Sequence, residues 1–153
     1  MKIKSFLLSL VAACLLLTST PKSAHAYEYA RDMHQTNLSL VVTLSGLPYP
    51  LAGLRWTEMV SGDWALVTQA TSIGVANIGS FGANYYIYGD LLAFYAGASV
   101  GFIFSKGPDG LYLDAELGLE WSIGQFVLSW EAGPAIIDDD LAVHLTSTIG
   151  GRF

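Results

Sequence analysis

The segment from Leu111 to Gly124, LYLDAELGLEWSIG, alternates between two kinds of residue. Leucine, alanine, tryptophan and isoleucine take the odd positions, and tyrosine, acidic residues, serine and glycine take the even ones. A period of two residues predicts a β-strand with one apolar and one polar face. The pattern leaves open which face meets water, because a soluble barrel turns its apolar face inward and a membrane barrel turns it outward.

The N-terminus has the three parts of a secretory signal peptide. Lys2 and Lys4 precede the apolar run Phe6–Leu17, and Ala24–Ala26 forms an A-x-A cleavage site. The apolar run is too short to span a bilayer as a helix. We therefore expect residues 1–26 to be removed on export.

The remainder has the length of one domain, which we divide into a polar lead, residues 27–36, and a β-barrel, residues 37–153. A lipoprotein signal is the alternative at the N-terminus, because Val11–Cys14 resembles a lipobox. Against it, the apolar run continues beyond the cysteine to Leu17. Cys14 is the only cysteine of the chain, so cleavage after Ala26 leaves no disulfide and no cysteine metal site.

The composition is too poor in charge for an ordinary soluble domain. Charged residues make up 13% of the chain and hydrophobic residues 52%, whereas a typical chain is about one-quarter charged. No helix-length apolar run follows the signal, which leaves a transmembrane β-barrel as the way to cross a membrane. Four basic residues against 13 acidic ones remain after cleavage, so we expect no nucleic-acid binding.

Eight alternating segments separated by turn residues predict an all-β, eight-stranded antiparallel up-and-down barrel. The third and fourth segments alternate least clearly. The predicted strands are Asn37–Ser45, Ala52–Val60, Trp64–Ile73, Ser80–Tyr88, Leu91–Ser105, Leu111–Ile123, Phe126–Asp138 and Leu141–Phe153.

Facing residues of an antiparallel hairpin share a face of the sheet, which tests the predicted turns. A two-residue loop at Gly124-Gln125 places Ile123 opposite Phe126 and Glu120 opposite Ser129, so an apolar residue pairs with an apolar one and a polar residue with a polar one. Loops at Asp139-Asp140 and Gly89-Asp90 also pair residues of the same predicted face. Their predicted pairs are Gly133 with Thr146, Glu131 with Thr148, and Asn84 with Tyr95.

Two features favour a polar lumen and a lipid-facing apolar surface. The polar face is rich in glycine, which weakens a solvated strand but fits a narrow lumen. The apolar face carries aromatic residues near both predicted rims, as in the girdles of membrane barrels. The set near the rim of the chain termini is Trp56, Trp64, Tyr85, Phe94, Trp121, Phe126, Trp130 and Phe153, and the opposite set is Phe81, Phe102 and Phe104.

The signal peptide, the even strand count, the tight turns and the last strand, LAVHLTSTIGGRF, resemble the small eight-stranded bacterial outer-membrane barrels. This resemblance implies a place in the bacterial outer membrane, with its lipids and lipopolysaccharide as partners. In that class a terminal aromatic residue is part of the signal read by the barrel assembly machinery, and Phe153 matches it. Gly151 departs from the class, which usually has an apolar residue there.

We expect a filled lumen whose charged residues satisfy one another, a structural or envelope-interaction role, and no catalytic, cofactor or metal site. The predicted lumen residues are Arg55, Asp114, Glu116, Glu120, Glu131, His144 and Arg152.

Two other functions stay open. His144 and Thr146 with Glu131 resemble the catalytic group of outer-membrane lipid A deacylases, although threonine replaces the serine of that family. A lipocalin-like soluble carrier is the third interpretation. The G-x-S-x-G motif at Gly97–Gly101 is not a nucleophile elbow, because it lies within a predicted strand and not at a strand-to-helix turn.

Overall fold

The structure is a computed structural model, and it describes residues 36–45, 49–88, 91–105 and 110–153. The predicted signal peptide of residues 1–26, Cys14, residues 27–35 of the lead and the Gly89-Asp90 turn lie outside the described residues. Within the described ranges, no helix is long and apolar enough to cross a membrane.

Eight antiparallel strands close into one barrel, in chain order, as the alternation predicts. Each predicted segment corresponds to one strand, and the largest difference is the fourth, which begins at Ala76 and not at Ser80. The strands are β1 (Thr36–Ser45), β2 (Leu51–Ser61), β3 (Trp64–Ser72), β4 (Ala76–Tyr88), β5 (Leu92–Ser105), β6 (Gly110–Ile123), β7 (Phe126–Ile137) and β8 (Asp140–Arg152).

The β6–β7 hairpin has the predicted register. Ile123 pairs with Phe126 and Glu120 with Ser129, around a two-residue turn at Gly124-Gln125. Gly124 has a φ of 58°, a left-handed conformation that glycine adopts without steric penalty.

The predicted register of the β7–β8 hairpin is wrong by two residues. Gly133 pairs with His144 and Glu131 pairs with Thr146, because the turn is Asp138-Asp139 and not Asp139-Asp140. Both turn residues have positive φ, 47° and 75°, as a type I′ hairpin turn requires. Aspartate is among the few residues that tolerate this conformation.

The predicted pairing of Asn84 with Tyr95 is also wrong. Asn84 pairs with Gly97, and Tyr95 pairs with Tyr86. A bulge between Tyr86 and Tyr88 shifts the register at this end of β4. Pairs assigned by assuming a regular hairpin with a two-residue turn are therefore incorrect. Both register errors are of two residues, which keeps every side chain on its predicted face.

The barrel closes where β1 meets β8. Asn37 pairs with Arg152 at the rim where β1 begins and β8 ends, called the rim of the termini below, and the pairing continues along both strands. The Phe153 N–H donates to the Thr36 carbonyl at 2.9 Å. Inside, the Thr43 and Thr146 hydroxyls bond across the same seam at 2.8 Å.

The apolar face of every strand points outward, and the polar face lines the lumen. On β6, Leu117 is 67% exposed and its neighbour Glu116 is 9% exposed. Tyr85 is half-buried against Trp64, with ring centroids 5.0 Å apart. The other predicted girdle residues are all exposed: Trp56, Trp64, Phe81, Phe94, Phe102, Phe104, Trp121, Phe126, Trp130 and Phe153. The distribution of polar and apolar residues between the inside and the outside of the barrel is therefore the inverse of that in a soluble barrel.

Candidate functional site in the lumen

The lumen is packed with side chains along its length. At the rim opposite the chain termini lies an apolar cluster of Leu51, Ile78, Ile103, Tyr112 and Ala135. Towards the rim of the termini lies a second cluster of Met59, Ala65, Tyr86, Ala93 and Tyr95. Between them is a polar layer with two cavities beside Arg55, each about 10 Å³ and so about the size of a single water.

Arg55 is the centre of the polar layer. It projects from β2, is 5% exposed, and donates to Glu131 on β7 and to Glu116 on β6, the latter at 3.2 Å. With its amide oriented to suit these partners, Asn84 donates to Glu116 Oε1 and accepts from Arg55 Nη2, both at 3.2 Å. One guanidinium thus joins strands on opposite sides of the barrel.

Tyr95 reaches the same network by crossing a neighbouring strand. Tyr95 on β5 pairs with Gly118 on β6, and Gly118 in turn pairs with Glu131 on β7. The Tyr95 ring lies over Gly118, and its hydroxyl donates to Glu131 Oε1. A side chain at position 118 would occupy the space of this ring.

His144 on β8 is 2% exposed and has a partner on each ring nitrogen. Nε2 lies 2.7 Å from Thr146 Oγ1, and Nδ1 lies 2.7 Å from the Tyr112 hydroxyl and 3.2 Å from Asp114 Oδ2. Tyr112 donates to that same Asp114 oxygen at 2.6 Å, and Ser99 donates to the other through its backbone N–H and its hydroxyl. This arrangement places the ring proton on Nδ1.

A second network lies nearer the rim of the termini. Arg152 donates to Glu120 at 3.1 Å and to Ser122 at 2.8 Å, and its Nε lies 3.3 Å from Asn37 Oδ1. Tyr86 donates to the other oxygen of Glu120 at 2.9 Å. Glu120 therefore has a cationic partner of its own, separate from the Arg55 group.

All seven predicted lumen residues point into the barrel, six of them buried and Arg152 half-buried. The three residues of the predicted hydrolase group come together only in part. Thr146 bonds His144, but Glu131 Oε2 lies on the same Nε2 side, 4.0 Å away, and Asp114 occupies the Nδ1 side. Glu131 therefore cannot orient the ring for proton transfer from Thr146.

Sequence reasoning missed the two tyrosines that organise this site. Tyr112 shares its parity with Asp114 and Glu116, so its place in the lumen was visible in the alternation. The reach of the Tyr95 ring over Gly118 was not visible, because it depends on the pairing of three strands.

One group of described residues has the composition of a metal site. Asp114, Glu116 and His144 each bring a ligand atom to within 4.8 Å of the others, and all three are buried. Next to them, Glu131 Oε2 is buried and has no hydrogen-bond partner among the described residues.

The fold matches known membrane barrels. The N-terminal β-barrel domain of Pseudomonas aeruginosa OprF aligns with a TM-score of 0.67 and 14% identity, covering 80% of this chain and 100% of that domain. A structure described as de novo design of transmembrane β-barrels aligns with a TM-score of 0.65 and 13% identity, covering 81% of this chain and 99% of that one. No protein-family model and no curated protein matches the sequence. The chain thus has the eight-stranded transmembrane β-barrel fold.

Proposed function

We propose that this protein is a small bacterial outer-membrane barrel with a structural or envelope-interaction role and no catalytic activity. The observation that carries the proposal is the inverted polarity of the barrel. An outer face of leucine, valine and aromatic residues encloses arginine, glutamate and histidine. Such a surface is stable where its solvent is lipid, because every backbone polar group of a closed barrel is satisfied internally.

Two features of the lumen support a structural role in preference to transport. The apolar clusters at the two ends and the network around Arg55 leave spaces of about 10 Å³, too small for a solute larger than water. The charged residues of the polar layer also pair with one another across the barrel, which braces its walls. These contacts favour a filled lumen over a porin-like open channel.

We infer the partners of this barrel from its surfaces. The exposed apolar band would contact acyl chains, including a depression of about 570 Å³ around Ala132 that is bordered by Leu117, Trp130 and Leu145. Lipopolysaccharide is the expected lipid of the outer leaflet. Phe153 is 76% exposed, and we propose that it is part of the signal read by the barrel assembly machinery.

Membrane extraction and gel mobility test this proposal. The protein should fractionate with outer membranes, require detergent for extraction, and stay folded in SDS until it is heated, when its mobility changes. In planar bilayers it should produce no steady conductance. Recovery in a detergent-free periplasmic fraction would refute the membrane location, and a stable open conductance would refute the filled lumen.

A lipid-modifying hydrolase remains the second candidate, because Thr146, His144 and Asp114 are linked in the order nucleophile, base and acid. Against it, Thr146 is 3% exposed inside the barrel, where a lipid ester does not reach. Mass spectra of lipid A from cells with the wild-type protein and with Thr146→Val separate the two functions. Identical spectra would exclude this hydrolase.

A further inference from the structure

The middle of the lumen carries more negative charge than its basic residue balances. Asp114, Glu116 and Glu131 are at most 9% exposed, and the guanidinium that contacts both glutamates is Arg55. When all three carboxyl groups are ionised, they leave two negative charges that the guanidinium does not balance. A buried excess of this size is costly unless a proton or a cation compensates it. One divalent cation would neutralise the group.

The two glutamates turn their second oxygens towards one atom. Their Oε1 atoms contact Arg55, and their Oε2 atoms lie 3.7 Å (Glu116) and 4.0 Å (Glu131) from His144 Nε2. Two ligands of one zinc ion, each about 2.0–2.2 Å from the metal, are at most about 4.4 Å apart. Both separations are therefore compatible with a shared ion.

The other side of the ring has the surroundings of a metal-binding histidine. Such a histidine usually donates its second ring N–H to a carboxylate, which fixes its tautomer and orientation. Here Asp114 Oδ2 lies 3.2 Å from Nδ1, and Ser99 and Tyr112 hold that carboxylate in place. The lone pair of His144 Nε2 accepts from Thr146 Oγ1 at 2.7 Å, so a metal ion bound to Nε2 has to displace that hydroxyl. The displaced Thr146 hydroxyl has a second partner in Thr43, whose oxygen lies 2.8 Å from it.

Two observations point to a ligand at this place. The Glu131 side chain is 0% exposed and its Oε1 is held by Arg55 and Tyr95, yet its Oε2 accepts from no N–H or hydroxyl group among the described residues. Buried carboxylate oxygens without a partner are rare in native proteins and call for an explanation such as an ion. In addition, one of the cavities of about 10 Å³ is bordered by Glu116 and His144, together with Asp114.

We propose that this cluster binds one divalent transition-metal ion. His144, Glu116 and Glu131 are the ligands, and Asp114 is a positioning residue behind the ring. One imidazole with carboxylates favours a borderline ion such as zinc over calcium or magnesium, which prefer oxygen ligands alone. Because the ligands come from β6, β7 and β8, the ion would tie three consecutive strands together.

Refolding with zinc provides the test. Protein purified from membranes of an expressing Gram-negative host is unfolded in urea with a chelator, desalted, and refolded into detergent with or without zinc chloride. Bound zinc is then measured by mass spectrometry, and stability by the temperature at which the SDS-gel mobility changes. We expect one zinc ion per barrel and a higher transition temperature with zinc.

Variants identify the ligands. Glu131→Gln and His144→Gln should lose both the bound zinc and the temperature increase, and Asp114→Asn should keep zinc with an affinity about 10–100-fold lower. Glu120→Gln is the matched control, because Glu120 is a buried lumen glutamate held by Arg152 outside the cluster. It should bind zinc like the wild type.

The proposal is wrong if the wild type retains no more zinc than Glu131→Gln, since protons would then neutralise the excess charge. Should His144→Gln fail to reach the folded gel band, the wild type refolded with cobalt(II) decides. A ligand-field absorption that zinc removes supports the site, and a spectrum equal to that of free cobalt refutes it.

Discussion

Gly118→Ala should destabilise the barrel although it adds a single methyl group in a strand. A Cβ at position 118 would overlap the ring carbons and the hydroxyl of Tyr95, which lie over the glycine backbone. The ring can relieve the overlap only by leaving its place, and its hydroxyl then loses Glu131.

The expected magnitude combines three effects. Overpacking costs about 1–3 kcal/mol, and losing a hydrogen bond to a charged group costs about 1.5–3 kcal/mol. Replacing a strand glycine by alanine stabilises the folded state by about 0.5–1 kcal/mol, because alanine loses less backbone entropy on folding. We therefore expect the free energy of unfolding to fall by about 1.5–5.5 kcal/mol.

The assay is urea unfolding in liposomes, with Gly79→Ala as the matched control. Gly79 is also a strand glycine, but a Cβ there would meet nothing within 4 Å, so this change should be neutral or mildly stabilising. In a Tyr95→Ala background, which has no ring to displace, Gly118→Ala should also be close to neutral. The reasoning would be refuted if Gly118→Ala were as stable as the wild type. It would also be refuted if Gly118→Ala lowered stability by the same amount in the Tyr95→Ala background as in the wild type.

Three further changes test the surface, the turn and the end of the chain. Leu117→Arg, at an exposed position in the middle of β6, should lower stability by about 2–4 kcal/mol in lipid, and an unchanged urea midpoint would contradict a lipid-facing position. Asp139→Gly should raise stability by up to about 1 kcal/mol in the same assay, because glycine adopts the φ of 75° without strain; a lower midpoint would argue against the type I′ turn. Deleting Phe153 should reduce the amount of heat-shifted barrel in membranes more than deleting residues 27–35, and equal yields would argue against the C-terminal signal.

The composition of the lumen was predictable from the sequence because the side-chain period of a strand is two. The registers predicted for β4–β5 and β7–β8 were each wrong by two residues, and such an error leaves every residue on its face. Three consecutive aspartates, Asp138–Asp140, allow a two-residue turn in two frames. The positive φ values of Asp138 and Asp139 show that these two residues form the turn. The alternation of apolar and polar residues carries no information on φ.

The contacts inside the lumen were less predictable, because they depend on the exact register and on the reach of long side chains. Glu131 was grouped with His144 and Thr146 in the hydrolase alternative, and the actual pairing of β7 with β8 places it on the Nε2 side of the ring. Asp114, two strands away from His144, takes the Nδ1 side. The local sequence determines which face of a strand a side chain lies on. It does not determine which side chain it contacts across the barrel.

The seam between β1 and β8 differs from the other seven in how it can form. The other seven join strands adjacent in sequence, but the bond from Thr43 to Thr146 spans 103 residues. Closing so long a loop costs entropy and slows folding, so this seam should be the last to form. Until then the sheet has two open edges, each able to pair with a strand of another copy. Damage to β8 should therefore yield aggregates, not a smaller barrel.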